Sequence, residues 1–257
     1  MRIESLLLAY GLIVGAILIA YYNHLKLERD LIFDSFRGTA QLIIMGFVLE
    51  FILKFERMEA LLVILLIMCA VAAGVSGKIG DKIPGAFWTS FAGIGVGSAI
   101  TFLVLYAAGI IPPKAQYVIP LGGMIIGNAM KAVSLTLNHL TGELENQRAR
   151  IETLLALGAS ARQAADTPVR QSIRAAMIPT IATLRTVGIV HIPGIMAGFI
   201  IAGGSPLEAV KFQLAVVYMI VGATGIACLI TTLLAFRRCF NADLQLLPSF
   251  RPSTSNL

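Results

Sequence analysis

The chain has 257 residues, of which 57% are hydrophobic and 13% are charged, and its mean hydropathy is +0.84. Soluble domains carry about 25% charged residues, so the composition excludes an ordinary soluble protein and indicates one integral membrane domain. The net charge of +6 is explained by basic loops on one side of the membrane, and it gives no reason to expect nucleic acid binding. Cys69, Cys228 and Cys239 lack the spacing of a zinc site or a disulfide framework, so we expect them to serve packing.

Seven apolar runs are predicted to cross a bilayer core of about 30 Å, which takes about 20 helical residues; the second of them, 39–53, is short. Lipid cannot hydrogen-bond to free backbone groups, so every run is predicted to be a helix and the fold to be all-α. We expect a transmembrane domain over 1–240, interrupted by a polar loop at 139–179. The runs are 5–22, 39–53, 60–77, 86–111, 117–138, 180–204 and 212–236.

Two segments outside the runs have their own patterns. NHLKLERDLIFDSF, after the first run, mixes apolar and charged residues in the way of an amphipathic helix on the membrane surface. The tail 241–257 contains Pro248, Pro252 and the polar stretch STSN, so it is predicted to be disordered in the cytoplasm.

The basic residues indicate the orientation of the chain. If the N-terminus is outside, 13 of the 20 Lys and Arg residues lie in segments on the inner side and five lie outside. Cytoplasmic loops carry the excess of Lys and Arg in membrane proteins. The sequence therefore predicts an outer N-terminus, an inner C-terminus and a cytoplasmic polar loop.

The polar loop begins with a predicted helix that Thr141 caps and Gly158 ends, because glycine adopts the positive φ of a helix C-terminus. Ser160 and Gln163 have the spacing of a capping box, which predicts that a second helix starts there. This second helix, ARQAAD, is short.

Thr167 followed by Pro168 predicts the start of a third helix, which Pro179 kinks where it enters the membrane. A short helix held between two longer ones can pass force from a bound partner into the membrane. The alternative interpretation is a solvated loop between two spans.

Inserting an ionisable side chain into the centre of a span costs about 2.5–3.5 kcal/mol on insertion scales, so each such residue requires an explanation. Glu50 lies near the outer end of its span, and Lys131 and Arg185 lie nearer the inner ends of theirs. We expect Lys131 and Arg185 to extend to the inner lipid surface; a gating role is the alternative.

A predicted substrate pathway runs through the fifth and sixth spans. Asn128 and His191 lie near the middle of these spans, where an amide oxygen and a neutral imidazole could hold a divalent metal; interhelical hydrogen bonding is the alternative. The nearby thioethers suit softer ions or, alternatively, serve packing. The pathway residues are Asn128, His191, Met124, Met130, Met196, Pro193 and Gly194.

Small residues and prolines also mark these two spans. The pairs Gly123–Gly127 and Gly194–Gly198 have the four-residue spacing that lets helices approach closely. Pro120 and Pro193 free backbone carbonyls and permit bending. Such spans suit a pathway that opens alternately to the two sides of the membrane.

No phosphate-binding loop of the form GxxxxGK[ST] occurs in the sequence, so any ATPase is expected to be a separate subunit. We also expect no cofactor bound by this chain. The last run, 212–236, has no lysine for a retinal Schiff base, and no HExxH motif indicates protease chemistry.

The stretch ETLLALGAS, Glu152 to Ser160, resembles the cytoplasmic loop of ABC-transporter permeases. Thr153 and Leu154 replace the two alanines usual in that loop, and the distance to Pro179 is longer than usual. In those permeases the helix after the glycine lies in a cleft of the ATPase subunit. The resemblance implies that the ATPase-coupling residues are Glu152, Leu157, Gly158, Ala159, Ser160, Arg162, Gln163 and Asp166.

Three longer stretches resemble the FetB family of seven-span permeases, which are associated with iron export and are similar to plant aluminium-tolerance permeases. They are VIPLGGMIIGNAM, SIRAAMIPT and TVGIVHIPGIMAGFIIAGGSPLEAVKFQ, and the resemblance extends from Leu25 to Arg238.

The resemblance implies an exporter of iron or another metal in the inner (plasma) membrane, with two permease subunits in lipid and two ATPase subunits that use ATP and Mg. Another cargo such as a nucleotide-sugar, an importer-like direction and a non-transporting membrane scaffold are the alternatives.

Overall fold

A computed structural model describes residues 3–25, 27–52, 58–190, 192–241, 245–247 and 250. Nine α-helices lie in these residues, which confirms the predicted all-α class. They are α1 (Ile3–Tyr22), α2 (Glu28–Ile52), α3 (Met58–Ile79), α4 (Ala86–Ala107), α5 (Ala115–Asn146), α6 (Arg148–Ala156), α7 (Ala161–Thr186), α8 (Gly194–Ile201) and α9 (Pro206–Arg237).

Several of these helices match membrane spans in length and composition. The apolar part of α1, Tyr10–Tyr22, is shorter than the others. Within the described residues, the helices long and apolar enough to cross a bilayer are Glu28–Glu50, Met58–Ile79, Ala86–Ala107, Ala115–Asn146 and Pro206–Arg237. These five helices support the prediction of a multi-pass membrane protein.

α1 and α2 belong to a compact unit of residues 1–56, in which the hydroxyl groups of Tyr10 and Thr39 share a hydrogen bond. The sequence predicted a surface helix followed by a separate span at 39–53, and this prediction is wrong. The helix α2 is continuous over 25 residues. It contains no proline, and a glycine such as Gly38 costs only about 1 kcal/mol in a helix, which does not interrupt it.

Residues 57–257 form the second compact unit, with α5 and α9 at its centre. Both helices have 32 residues; α9 packs against α4, α5, α7 and α8, and α5 also packs against α3. Hydroxyl groups join α3 to α5: Ser134 donates to Ser76 at 3.0 Å, and Ser76 donates to the Met130 carbonyl at 3.2 Å. Such bonds hold helices together where lipid offers no hydrophobic driving force.

α4 approaches α9 closely through Gly93 and Gly97. A Cβ atom added at Gly93 would lie 1.9 Å from the Thr231 hydroxyl oxygen, and one at Gly97 would lie 2.8 Å from the Ala223 carbonyl oxygen. Any side chain at either position would force the helices apart. The four-residue spacing of these glycines is therefore what sets the α4–α9 distance.

The pairs Gly123–Gly127 and Gly194–Gly198, which the sequence predicted to bring helices close together, do not make such contacts among the described residues. A Cβ atom added at Gly127, Gly194 or Gly198 would meet no described atom within 4 Å, and one at Gly123 would meet only the Met68 methyl group at 3.4 Å. The expectation of close helix contacts at these two pairs is therefore wrong for the helices of this chain.

The sixth predicted span, 180–204, is not one helix. α7 ends at Thr186, Gly188 has a φ of +81°, and α8 begins only at Gly194, behind the cap residue Pro193. Pro193 has no N–H group to donate to a preceding carbonyl, and it occupies the cap position before α8. α8, with eight residues, reaches about 12 Å at 1.5 Å per residue.

The helical boundaries of the polar loop also differ from the prediction. Thr141 does not cap a helix, because α5 runs on to Asn146 and the Thr141 hydroxyl donates to the Leu137 carbonyl at 2.9 Å. Thr167 and Pro168 do not start a helix either, since α7 is continuous over 26 residues. The buried side of this part of α7, which includes Pro168, packs into the core and offsets the lost backbone hydrogen bond.

The described part of the tail is ordered, which contradicts the predicted disorder. The Leu247 N–H group donates to the Cys239 carbonyl at 3.0 Å, and Phe240 pairs with Leu246 in an antiparallel bridge. Leu246 and Phe250 are 3% and 0% exposed and lie in the main hydrophobic core. Two large apolar side chains therefore fix the described tail residues, and residues 242–244, 248, 249 and 251–257, which include Pro248 and Pro252, lie outside the described residues.

Labelling of Cys239 tests the docking of the tail. Burial raises the pKa of the Cys239 thiol to about 12, so almost none of it is the reactive thiolate at pH 8. In a variant with Cys69→Ala and Cys228→Ala, we expect slow maleimide labelling of Cys239. Truncation of a buried Phe costs about 3–5 kcal/mol, so Phe250→Ala should speed the labelling by about tenfold or more. Phe33→Ala, at a side chain 66% exposed, is the control; equal rates in both variants would refute the docking.

Candidate functional site

The polar loop folds into a sharp corner, residues 157–160, which we call the elbow and which joins α6 to α7. Gly158 has a φ of +89°. Its N–H group donates to the Leu155 carbonyl at 3.0 Å, and the Ala159 N–H group donates to the Leu154 carbonyl at 3.0 Å. This pair of bonds is a Schellman motif, which satisfies the free carbonyls at the end of α6. The predicted helix end at Gly158 is confirmed.

The start of α7 is also capped by hydrogen bonds. The Ser160 side chain accepts a hydrogen bond from the Gln163 N–H group at 3.3 Å, and the Gln163 side chain accepts one from the Ser160 N–H group at 2.9 Å. This is the capping box that the sequence predicted. The elbow is thus capped on both sides, so it joins α6 and α7 with little freedom to bend.

The outer surface of the elbow is exposed. Leu157, at 79% exposure, presents a large apolar side chain to solvent. Ala159 is half-buried, and beneath the elbow Ala164 and Ala165 are buried against the core. The remaining predicted coupling residues, Glu152, Gly158, Ser160, Arg162, Gln163 and Asp166, are all exposed. An exposed leucine on a rigid polar corner is a suitable contact for another protein.

The short helix of the loop is α6, before the glycine, and not the helix after it as the sequence predicted. Ile151 of α6 is fully buried in the main core. Arg148 forms an ion pair with Glu152 at 2.7 Å, and its guanidinium donates to the carbonyls of Leu246 and Leu247 at 3.4 and 3.2 Å. The helix α6, which leads into the elbow, is therefore tied to both the core and the tail.

A groove of about 260 Å³ lies between α5, α7 and α9, of which α5 and α9 match membrane spans in length and composition. Its polar side chains come from two helices, Asn128 and Lys131 from α5 and Thr180 and Thr183 from α7. The Asn128 amide donates to the Met124 carbonyl at 2.8 Å, and Thr183 donates to the Pro179 carbonyl at 3.0 Å. Apolar residues of α5, α7 and α9 line the remainder: Ala132, Leu135, Ala176, Val217, Ile220 and Val221.

The structure brings only one of the predicted pathway residues, Asn128, into this groove. Met130 packs against the main core, and Pro193, Gly194 and Met196 belong to the cap and helix of α8. Met124 contributes its backbone carbonyl to the Asn128 hydrogen bond. His191 lies outside the described residues. The roles proposed for these residues remain predictions.

Sequence reasoning did not identify Lys131, Thr180 and Thr183 as parts of one site. Lys131 was noted as a charge within a span, but its neighbours on α7 are about fifty residues away in the chain and carry no pattern of their own. No group of three or more His, Cys, Asp or Glu side chains that could hold a metal ion exists in the described ranges.

A larger cavity, of about 810 Å³, lies between α3, α4 and α5. Its walls are almost entirely aliphatic and aromatic, and Ser98, whose hydroxyl has no partner in the described part of the chain, is one of its few polar side chains. Such a surface binds apolar groups and offers no reactive chemistry.

The apolar helices define a multi-pass membrane protein that carries a groove between α5, α7 and α9 and an exposed elbow. The chain belongs to the family described as "Uncharacterised protein family (UPF0014)", whose model matches residues 3–240. This confirms the FetB-type resemblance that the sequence motifs indicated.

Three relatives illustrate the breadth of the family. "Probable iron export permease protein FetB" of Escherichia coli (strain K12) is 40% identical over 95% of this chain and 94% of its own length. "UPF0014 membrane protein YjkA" of Bacillus subtilis (strain 168) is 36% identical over 85% of this chain and 88% of its own length. "Protein ALUMINUM SENSITIVE 3" of Arabidopsis thaliana is 33% identical over 93% of this chain and 87% of its own length. No solved structure matches the chain.

Substitutions at Gly158 test the geometry of the elbow. A Cβ atom there would meet no described atom within 4 Å, so only the φ of +89° opposes a side chain. We expect Gly158→Val to lower the free energy of unfolding by about 1–2 kcal/mol. Gly158→Asn should be tolerated better, because asparagine adopts this conformation more readily.

The matched control is Gly142→Val inside α5, where a Cβ atom would also meet open space. That change should alter stability by only a few tenths of a kcal/mol, in the favourable direction. Denaturant unfolding in detergent measures all three variants, and equal effects of valine at positions 142 and 158 would contradict the assigned geometry.

Proposed function

We propose that the chain is the permease subunit of an ABC-type exporter, driven by a separate ATPase subunit that docks on the elbow. The observation that carries this proposal is the elbow itself, because Leu157 at the tip of this doubly capped corner is 79% exposed on the single chain and can contact a partner. The name of the E. coli relative, an iron export permease, supports export as the direction and iron or another metal as the cargo.

The elbow is connected to the groove by one continuous helix. α7 starts at the elbow with the Ser160 cap and carries Thr180 and Thr183 in the groove wall. Their separation of about twenty residues corresponds to about 30 Å of helix. Pressure on the elbow from a partner would therefore move the α7 wall relative to α5. This lever is the mechanical step that we assign to ATP-driven transport.

We propose seven crossings with an outer N-terminus and an inner C-terminus, in the inner (plasma) membrane. The first five crossings are α1 to α5. The sixth is formed by α7 and α8 together with the break between them, and the seventh is α9. Irregular backbone is tolerated at membrane depth only where protein or a water-filled cavity surrounds it. In transporters, broken helices commonly line the substrate site. The break after Thr186 supports placing the pathway beside α7 and α8.

The proposed assembly contains two permease and two ATPase subunits. Ile189 and Val190 in the break are 85% and 80% exposed on the single chain, which favours a second copy against this face. ATP and Mg would be used by the ATPase subunits, and this chain would bind no cofactor of its own. His191 and Asn128 remain the proposed contacts for metal cargo, and a change in metal-stimulated ATPase activity on His191→Ala would test the first of them.

Retention of the ATPase tests the docking role. The full chain, purified from its native membrane, should carry a nucleotide-binding subunit with it. Loss of an apolar anchor from an interface costs about 2 kcal/mol or more, so Leu157→Ala should lower retention of the ATPase by about tenfold or more. The side chain is 79% exposed, so the stability of the chain itself should not change.

The control for this experiment is Leu207→Ala at the start of α9, where the leucine is 76% exposed and the proposed topology places it outside. It should leave retention unchanged. If no ATPase accompanies the wild-type chain, the exporter proposal is wrong and the membrane scaffold becomes the better interpretation. If both leucine variants keep the ATPase, the elbow is not the docking site.

A further inference from the structure

The groove between α5, α7 and α9 carries a positive charge that nothing in the described residues neutralises. Lys131 lines the groove and is exposed on the single chain. The ion pairs of the described residues join other groups: Lys82 to Glu145, Arg148 to Glu152 and Arg170 to Asp166. A lysine within a membrane span is costly, and such residues are usually paired or mark a substrate path.

The described lining of the groove also has none of the carboxylate, imidazole or thiolate side chains that usually hold a divalent metal ion. The described residues that line it include no Asp, Glu, His, Cys or Met. A protonated lysine has no lone pair to give to a metal, and it repels a cation. Divalent metals are held by carboxylate, imidazole or thiolate groups. A bare cation is therefore disfavoured at this position.

The remaining polar groups are suited to oxygen atoms with negative charge. The Lys131 ammonium supplies three N–H donors. One N–H group of the Asn128 amide donates to the Met124 carbonyl at 2.8 Å. The second N–H group and the amide oxygen are available to a ligand. Thr180 adds a hydroxyl that forms no hydrogen bond to the rest of the described chain. Hydrogen bonds between an ammonium and a carboxylate or phosphate are among the strongest in proteins.

The size of the groove admits more than a single ion. A volume of about 260 Å³ corresponds to roughly nine water molecules at about 30 Å³ each. That is enough for a small organic anion or an anion with a bound metal. The apolar floor from α9, including Val217 and Ile220, would exclude water around such a ligand and strengthen its contact with Lys131.

We propose that this groove binds a small soluble anion through its carboxylate or phosphate oxygens, with Lys131 as the charge that recognises it. The inference rests on the proposed transport function and names its cargo class: a metal passing this point travels as an anionic complex and not as a bare cation. Asn128, with its amide oxygen, lies where it would contact the metal or a hydroxyl group of that complex.

Binding to the full chain in phosphatidylcholine nanodiscs tests the assignment without the ATPase. The probes are radiolabelled citrate, iron(III)–citrate, inorganic phosphate and iron(II) alone under reducing conditions. We expect at least one of the three anionic probes to bind the wild-type chain and iron(II) alone not to bind in the groove. Lys131→Met and Lys131→Gln should weaken anion binding by about tenfold or more, because the charged hydrogen bond is lost.

Two controls separate charge from general damage. Lys131→Arg keeps the charge and should retain binding within about threefold, although its geometry differs from that of lysine. Lys114→Met removes another exposed lysine, about 26 Å away at the start of the same helix, and should change nothing. Slow maleimide labelling of Cys239 in each variant confirms that the fold is intact.

Three results would overturn the proposal: no anionic probe binds the wild-type chain, Lys131→Met leaves anion binding unchanged, or the wild-type chain binds iron(II) alone and Lys131→Met weakens that binding. A fourth arm adds phosphatidylglycerol to the nanodiscs. If that lipid abolishes citrate and phosphate binding in the wild-type chain, Lys131 holds a lipid headgroup and the soluble-anion assignment is wrong. None of these outcomes depends on the ATPase, so failure of the exporter proposal would be seen separately, in the retention experiment.

Discussion

The absence of water from the bilayer core is the constraint on which the rest of this structure depends. Every backbone N–H and C=O group at that depth needs a partner within the chain, so the apolar runs become helices. Because lipid gives helices no hydrophobic reason to associate, they are held by close contact and by hydroxyl groups. Gly93 against Thr231 and Ser134 on Ser76 supply these two kinds of contact. The break between α7 and α8 is then an exception that requires a functional explanation.

The elbow and the groove are parts of one mechanical system. α7 contributes the cap residue Ser160 at one end and Thr180 and Thr183 at the other, while α5 carries Lys131 and reaches the core cluster that holds Ile151. The tail closes this cluster from the other side with Phe250. Since packed interiors transmit displacement instead of absorbing it, the proposed partner on the elbow would act on the groove without touching it. In the proposed transport function, the charge of Lys131 would select the ligand that the groove holds.

Features that depend on a few adjacent residues were predictable. Gly158 and the Ser160–Gln163 pair were confirmed because capping geometry is fixed within one turn of chain. The start of a third helix at Thr167–Pro168 was a signal of the same kind, but it failed because the continuous, partly buried α7 outweighs it. Predicted disorder of the tail failed for a related reason. Its composition is polar on average, yet Phe250 alone buries a large apolar surface.

The sequence by itself determined that the chain lies in lipid, that it is helical, which family it belongs to and where the elbow is. These features follow from composition, short motifs and local capping. Tertiary structure decided which small residues meet: Gly93 and Gly97 touch α9, whereas a Cβ atom at Gly127 would touch nothing described, although the spacings are alike. It also decided that Lys131 shares a groove with Thr180 and Thr183. Spacing along a helix states which face a residue occupies, and only packing determines what lies opposite that face.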